Sequence, residues 1–154
     1  MTNIELPKYV TFKSYNNRFL TVSSGSRGDL VFIDTDGNDP RSVFEVVPIP
    51  GSFQTAAFKS YATGKFWKRS MEQPWNWIYA SADDLVAADS FQYQTQDATN
   101  TLLAFWSPPD AMFLRQLTAA GRNNNLCAFS RGVDEGGADQ FTRFTVAEAS
   151  VQEA

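Results

Sequence analysis

Four landmarks recur three times along this chain, and they keep step. Phe12-Lys13-Ser14 returns as Phe58-Lys59-Ser60 and again as Phe105-Trp106-Ser107, at spacings of 46 and 47 residues. After each comes a short turn and then an apolar pair: Phe19-Leu20, Phe66-Trp67 and Phe113-Leu114. A third stretch follows in every copy, as Leu30-Val31-Phe32-Ile33, Ile78-Tyr79-Ala80-Ser81 and Leu126-Cys127-Ala128-Phe129. A fourth closes each unit, as Val43-Phe44-Glu45-Val46, Phe91-Gln92-Tyr93 and Phe141-Thr142-Arg143-Phe144, the last two led in by Ala88-Asp89-Ser90 and Ala138-Asp139-Gln140. A repeated unit buries its apolar face by packing on its own copies, so a threefold repeat restricts the fold more than composition can.

Each landmark is the length of a short strand, and Gly, Pro, Asn and Asp lie between them, as turns require. No segment sustains a helical period, with short helical exceptions expected only around 84–88 and in the tail 148–154. Four strands per unit give twelve in all. The expectation is an all-β chain folded as a β-trefoil, with three pseudo-threefold repeats at about 8–50, 54–97 and 101–147 in a single domain. Six strands would close a barrel and three hairpins would cap one end, which removes most exposed edges. A three-bladed propeller falls below the usual blade count.

The 154 residues are 43% apolar and 14% aromatic, enough for a core without disulfides. A net charge of −4 with scattered basic residues argues against nucleic acid as a partner. The chain has no His, which removes the commonest general base and His-based zinc sites. A single Cys, Cys127, forbids an intrachain disulfide and fits a reducing, cytoplasmic setting. Residues 1–7 show no signal-peptide pattern, no run reaches the ~20 apolar residues of a membrane span, and no glycosylation sequon occurs. No cofactor motif is present.

Aligned copies act as an internal control. Phe12, Phe58 and Phe105 read as core, as do Phe19, Phe66 and Phe113. Trp67 aligns with Leu20 and Leu114 and reads as packing; Cys127 aligns with Val31 and Tyr79 and reads as a small hydrophobe. The other three Trp occupy positions that are polar elsewhere: Trp77 against Asp29 and Asn125, Trp75 against Arg27 and Asn123, Trp106 against Lys13 and Lys59. Exposed Trp at 75 and 77 would mark a contact surface, the alternative being that these rings cover a local gap or an inter-repeat seam. An indole face suits the apolar C–H face of a pyranose, and Asn76 between the two supplies a donor and an acceptor for hydroxyls. Trp75, Asn76 and Trp77 are therefore the candidate carbohydrate-binding residues. Asp83 and Asp84, one strand later, read equally well as solvated loop charges.

Reactive chemistry is thin. Asp34-Thr35-Asp36-Gly37-Asn38-Asp39 resembles the start of a calcium loop but has Asp39 where the sharp turn needs Gly, and reads as a strand-ending turn into Pro40. The acidic segment Gly132–Gly137 makes a poor phosphate cradle. Only Asp83, Asp84 and Asp89 lie near the Trp cluster in sequence as carboxylates for glycoside hydrolysis. A non-catalytic binding protein is expected, the alternative being a protein-interaction or self-assembly trefoil that uses the same Trp patch as an interface.

The run Phe58-Lys59-Ser60, a turn, Lys65-Phe66-Trp67 and Trp77-Ile78-Tyr79-Ala80-Ser81-Ala82 resembles the agglutinin domain of the plant amaranthin-like lectins, as does Asp39-Pro40-Arg41-Ser42-Val43-Phe44-Glu45-Val46. The resemblance spans essentially the whole chain, strongest from Tyr9 to Ala82. It implies a β-trefoil lectin, nucleocytoplasmic, with glycans containing galactose or N-acetylgalactosamine as ligands. It also implies ligand contacts from the loop before the Trp-Ile strand, here Pro74-Trp75-Asn76-Trp77. In that family the sugar sits between domains of different subunits, so a chain with one such domain would complete the site as a homodimer. Asn76 stands where the family's namesake has Tyr, and Trp75 is additional.

Overall fold

The computed structural model describes residues 4–23, 27–72, 75–99, 101–119, 121–131, 139–149 and 151. Twelve strands form where the apolar landmarks fall. The first unit holds β1 (Tyr9–Lys13), β2 (Phe19–Val22), β3 (Leu30–Asp34) and β4 (Phe44–Pro48). The second holds β5 (Thr55–Ser60), β6 (Phe66–Arg69), β7 (Ile78–Ala82) and β8 (Phe91–Thr95), and the third β9 (Leu102–Ser107), β10 (Met112–Ala119), β11 (Arg122–Ser130) and β12 (Phe144–Glu148). Among the described residues, helix is confined to a 3₁₀ turn at Pro40–Ser42 and one turn of α-helix, α1, at Asp139–Thr142. The helix expected around 84–88 is a non-helical turn, closed by Ala88 N–H on the Leu85 carbonyl. None of the described helices is long and apolar enough to cross a membrane.

Six strands close on themselves. β1 pairs with β4, β4 with β5, β5 with β8, β8 with β9, β9 with β12, and β12 returns to β1, all antiparallel. The seams share one register: Val46 lies opposite Phe58, Tyr93 opposite Phe105 and Val146 opposite Phe12. That register makes Phe44, Phe91 and Phe144 equivalents. The fourth landmark of the third copy therefore begins at Phe144; Phe141 belongs to α1. Asp89 corresponds to Thr142, so its likeness to Asp139 in sequence is incidental. The longer connection into β12 caused the slip; Gly132–Gly137 and Ala138 lie outside the described residues.

Phe12, Phe58 and Phe105 meet on the pseudo-threefold axis, with ring centres 5.4, 5.6 and 5.7 Å apart. Each is essentially solvent-free, and such a side chain contributes about 1.5–3 kcal/mol by leaving water. Trp67 caps the triangle, 4.7 Å from Phe58 and 5.2 Å from Phe12, in the layer that Leu20 and Leu114 complete. It is packing, as its alignment requires. Its indole N–H finds no acceptor there.

The hairpins β2–β3, β6–β7 and β10–β11 cap one end of the barrel and interlock cyclically. Asp29 bridges to Tyr79, Trp77 to Cys127 and Asn125 to Val31, so one position of each copy pairs with the next copy's position two residues on. Just before each bridge the backbone is left-handed, at Gly28 (φ 79°), Asn76 (φ 53°) and Asn124 (φ 55°). Gly and Asn are the residues that enter this region most easily. The third hairpin departs from the others: β10 and β11 run 8 and 9 residues, against 4 and 5 for β6 and β7. Its pairing continues to Leu117 opposite Asn125 and Ala119 opposite Arg122.

Candidate functional site

The overhang of β10–β11 changes the environment of the Trp cluster. Trp77, expected to be exposed, is 3% exposed and sits in a small second core with Tyr79 and Cys127, against Trp75, Leu117, Ala119 and Phe129. Asn76 is equally buried, at 2%. Trp75 alone is partly open, packed 4.9 Å from Phe129 and 6.4 Å from Trp77. The alternative in which these rings cover a seam describes Trp77; the exposed pair, as a sugar platform or as an interface, is corrected to one half-open ring. The physical reason is the size of the indole, since covering roughly 200 Å² is worth on the order of 5 kcal/mol. Trp106 is likewise half-buried, packed edge-on against Phe113 at 4.8 Å.

Local hydrogen bonds fix the segment that carries these residues. Ser70 N–H donates to the Trp77 carbonyl at 2.8 Å, and Asn76 N–H to the Glu72 carbonyl at 2.7 Å. The Asn76 side-chain oxygen accepts from Met71 N–H at 2.8 Å, and its carbonyl accepts from Ala128 N–H at 3.1 Å. Asn76 is thus first a conformational residue, a role readable from its alignment with Gly28 and Asn124. Its Nδ2 is buried and has no acceptor. Beside it Met71 stands 61% exposed.

Charged side chains from all three repeats surround Trp77 and Tyr79. Arg122, at the tip of the third hairpin, lies 5.1 Å from the Trp77 ring and 5.2 Å from that of Tyr79. Arg27 covers Tyr79 at 5.3 Å and binds Asp29 through two hydrogen bonds of 2.6 and 2.8 Å. Arg122 Nη1 makes no hydrogen bond, lying 3.7 Å from Asp29 Oδ1. Tyr79 donates its hydroxyl proton to Glu72 at 2.7 Å. That bond, with Arg122 and Arg27 nearby, holds the Glu72 carboxyl below its ordinary range. Burial, then the Glu72 bond, raises the Tyr79 phenol against the opposing pull of Arg122. The corner therefore offers an ionised acceptor, a neutral phenol and two guanidinium groups whose charges balance the carboxylates. Glu72, Tyr79 and Arg122 escaped the sequence reading. The signal for Arg122 was the extended run from Met112 to Ala119 with a Gly121 turn beyond it.

The remaining candidates are engaged elsewhere. Asp83 pairs with Lys65, Asp84 accepts from Ala87 N–H, and Asp89 binds Arg69, at its backbone N–H and its guanidinium. Asp34, Asp36 and Asp39 accept from backbone N–H groups within their own turn. Among the described residues no group of three or more acidic or Cys side chains is arranged to hold a metal. Cys127 is fully buried, which pushes its thiol up to about 12 despite Arg115, so it is no nucleophile at neutral pH.

A family profile described as "Agglutinin domain" matches residues 4–143. No curated protein matches the sequence. Among solved structures, the designed threefold-symmetric protein ThreeFoil superposes with a TM-score of 0.69 at 9% identity, covering 93% of this chain and all of its own. The BEL β-trefoil gives 0.66 at 10% identity, covering 94% and 95%. A lectin of Polyporus squamosus, solved with a glycan ending Neu5Ac-Gal-GlcNAc, gives 0.71 at 10% identity, covering 95% of this chain and 50% of its own. At these identities the likenesses establish the β-trefoil fold.

Proposed function

The chain belongs to the agglutinin-domain family, and from that premise we propose that it is a carbohydrate-binding lectin whose site lies at the corner formed by Trp75, Asn76 and Trp77. The observation that carries the reading is the half-open Trp75 ring, with the buried Asn76 Nδ2 that follows it in the chain still lacking an acceptor. Trp75 would take the C–H face of the sugar, Glu72 would accept from hydroxyls, and Trp77 would support Trp75 from beneath without touching ligand. Galactose and N-acetylgalactosamine are the sugars in line with the family. Related support comes from the Polyporus squamosus lectin, a trefoil-containing chain solved with a glycan.

Binding would be non-catalytic, since Asp29 is held by Arg27 and Glu72 is kept ionised by the Tyr79 hydroxyl and the nearby arginines, so neither carboxyl is set up as a general acid. One sugar on one shallow site gives a Kd near 1 mM, about −4 kcal/mol. Useful avidity would need several sites per assembly. A buried, unpaired Cys127 fits a nucleocytoplasmic setting. A glycan array probed with wild type and Trp75→Ala tests the reading: wild type should retain galactose-type glycans and the variant should lose them. Blank profiles from both would sink it.

Self-association through the same corner is the second reading, favoured by the exposure of Met71, whose backbone N–H bonds the Asn76 side chain. Light scattering on wild type and Met71→Lys decides it; a dimer that the charge dissociates would support an interface.

A further inference from the structure

β1, β5 and β9 all run from the open end of the barrel toward the hairpin cap, where they meet β2, β6 and β10. Across that open end lies the segment Ile4–Pro7, ahead of β1 and outside the twelve strands. We infer that the open end is a peptide-reading site, held in cis by Ile4-Glu5-Leu6, and that it takes a peptide segment with two apolar side chains flanking one exposed residue. This site is remote from the Trp75 corner and independent of the carbohydrate reading.

The resident segment shows what the site reads. Ile4 N–H donates to the Gln54 side-chain oxygen at 3.0 Å, and the Ile4 carbonyl accepts from the Tyr93 hydroxyl at 3.0 Å. Both backbone groups of one residue are thus satisfied by side chains, as a neighbouring strand would satisfy them in strand addition. Gln54 Nε2 donates to the Tyr93 carbonyl at 2.8 Å, which fixes the end of the amide that faces Ile4. Ile4 and Leu6 pack against the main core, while Glu5 between them is exposed. Clefts of about 350 and 670 Å³ border the segment, one walled by Pro48 and Ile49, the other by Thr145 and Val146. The segment lies in a trough and is not embedded.

The reading pair is private to the second repeat. Backbone bonds from Val46 to Lys8, from Tyr93 to Gln54 and from Val146 to Thr101 make these three pairs equivalent. Val46 and Val146 have no hydroxyl to donate, so the repeat offers one such site and not three. Gln54 is buried and its backbone is left-handed, with φ 45°, a conformation that costs a residue of its type. The strain falls on the side chain that grips Ile4. Among the described residues those two hydrogen bonds are the ones that hold Ile4–Pro7, so the segment opens more readily than the barrel unfolds. Its tether gives it a high effective concentration, and a free peptide enters only once the resident is weakened.

The test uses the full chain and the peptide acetyl-Ile-Glu-Leu-Pro-Lys, labelled with fluorescein on its lysine, read by fluorescence anisotropy. The double variant Ile4→Asp, Leu6→Asp drives the resident segment out of its seats and should bind the peptide at least about tenfold more tightly than wild type does. Adding Tyr93→Phe, which deletes one hydroxyl and keeps the ring, should weaken that binding, and a peptide with Asp at both apolar positions should not bind at all. A folded double variant that ignores the peptide would overturn the proposal, as would binding that Tyr93→Phe leaves unchanged. Should the double variant fail to unfold cooperatively, Tyr93→Phe in the otherwise unaltered chain decides the matter. Faster hydrogen exchange at the Ile4 amide, with strand amides still protected, supports a segment held by the reading pair; unchanged exchange there sinks it.

Discussion

Arg69 reaches from β6 to Asp110 in the β9–β10 turn at 2.9 Å, and its Nε lies 3.2 Å from Asp89. One guanidinium thereby serves two carboxylates at the seam between the second and third repeats, with all three side chains at most 22% exposed. Its equivalents in the other copies are Val22 and Gln116, both buried. Removing Arg69 alone would leave two mostly buried carboxylates uncompensated. Arg69→Met should cost roughly 1–3 kcal/mol in urea unfolding, reduced from a fully buried pair by partial exposure. The triple change Arg69→Met, Asp89→Asn, Asp110→Asn should recover most of it.

Trp67 carries an indole N–H into the core with no acceptor, where its equivalents are Leu20 and Leu114. The orphan donor costs about 1–3 kcal/mol, which offsets much of the packing lost on substitution. Trp67→Phe is expected to change stability by less than about 1.5 kcal/mol. Phe12→Ala, which opens the axial triangle, should cost about 3–5 kcal/mol. Thermal or chemical unfolding of the two variants checks the contrast.

Gly28 and Gly121 both have left-handed backbones, at φ 79° and 80°. A Cβ on Gly28 would lie 2.2 Å from the Ala80 carbonyl oxygen, whereas one on Gly121 meets nothing within 4 Å. Gly121→Ala should therefore cost only the conformational penalty, about 1 kcal/mol. Gly28→Ala must also push the first and second hairpins apart, and the expected cost is several-fold larger in the same unfolding assay.

The Glu72–Tyr79 bond sets a pH window. Tyr79 titrates higher folded than unfolded, so its contribution is present below its ordinary 10 and lost as pH rises through the folded value. Glu72 titrates lower folded than unfolded, so its contribution is present above 4.5 and lost as pH falls through the folded value. Spectrophotometric tyrosine titration should show two phenols ionising late, that of Tyr93, raised by its own burial, and that of Tyr79, and Tyr79→Phe should remove the latter. Glu72→Gln should shift that phenol back toward its ordinary value.

Much of the fold was legible in sequence because Phe12, Phe58, Phe105 and their companions recur where symmetry demands the same burial. Alignment reads a shared environment well and a private one badly. Trp77 shares its backbone bridge with Asp29 and Asn125, yet a hairpin tip present in the third copy alone covers it. The polar character of its two equivalents thus said nothing about its own exposure. Asn76 shows the converse: its likeness to Gly28 and Asn124 marked a left-handed backbone, while its place between two Trp suggested only a ligand contact. Phe141 mimics the fourth landmark in sequence because a longer connection runs ahead of β12. Arg122 and Glu72 reach Tyr79 from different repeats, and no local pattern announces such a meeting.

The bridges Asp29–Tyr79, Trp77–Cys127 and Asn125–Val31 hand each copy on to the next, and the last hands back to the first. Stacked repeat arrays have end units and can gain or lose one with only local consequences. This ring has no end unit. Deleting one copy would strand two hairpins facing partners they do not fit, and adding a fourth would break a closure that three satisfy. Such a chain can vary only inside its copies, by lengthening a hairpin or exchanging a side chain. The overhang above Trp77 is variation of that kind, novelty admitted where the count itself is locked.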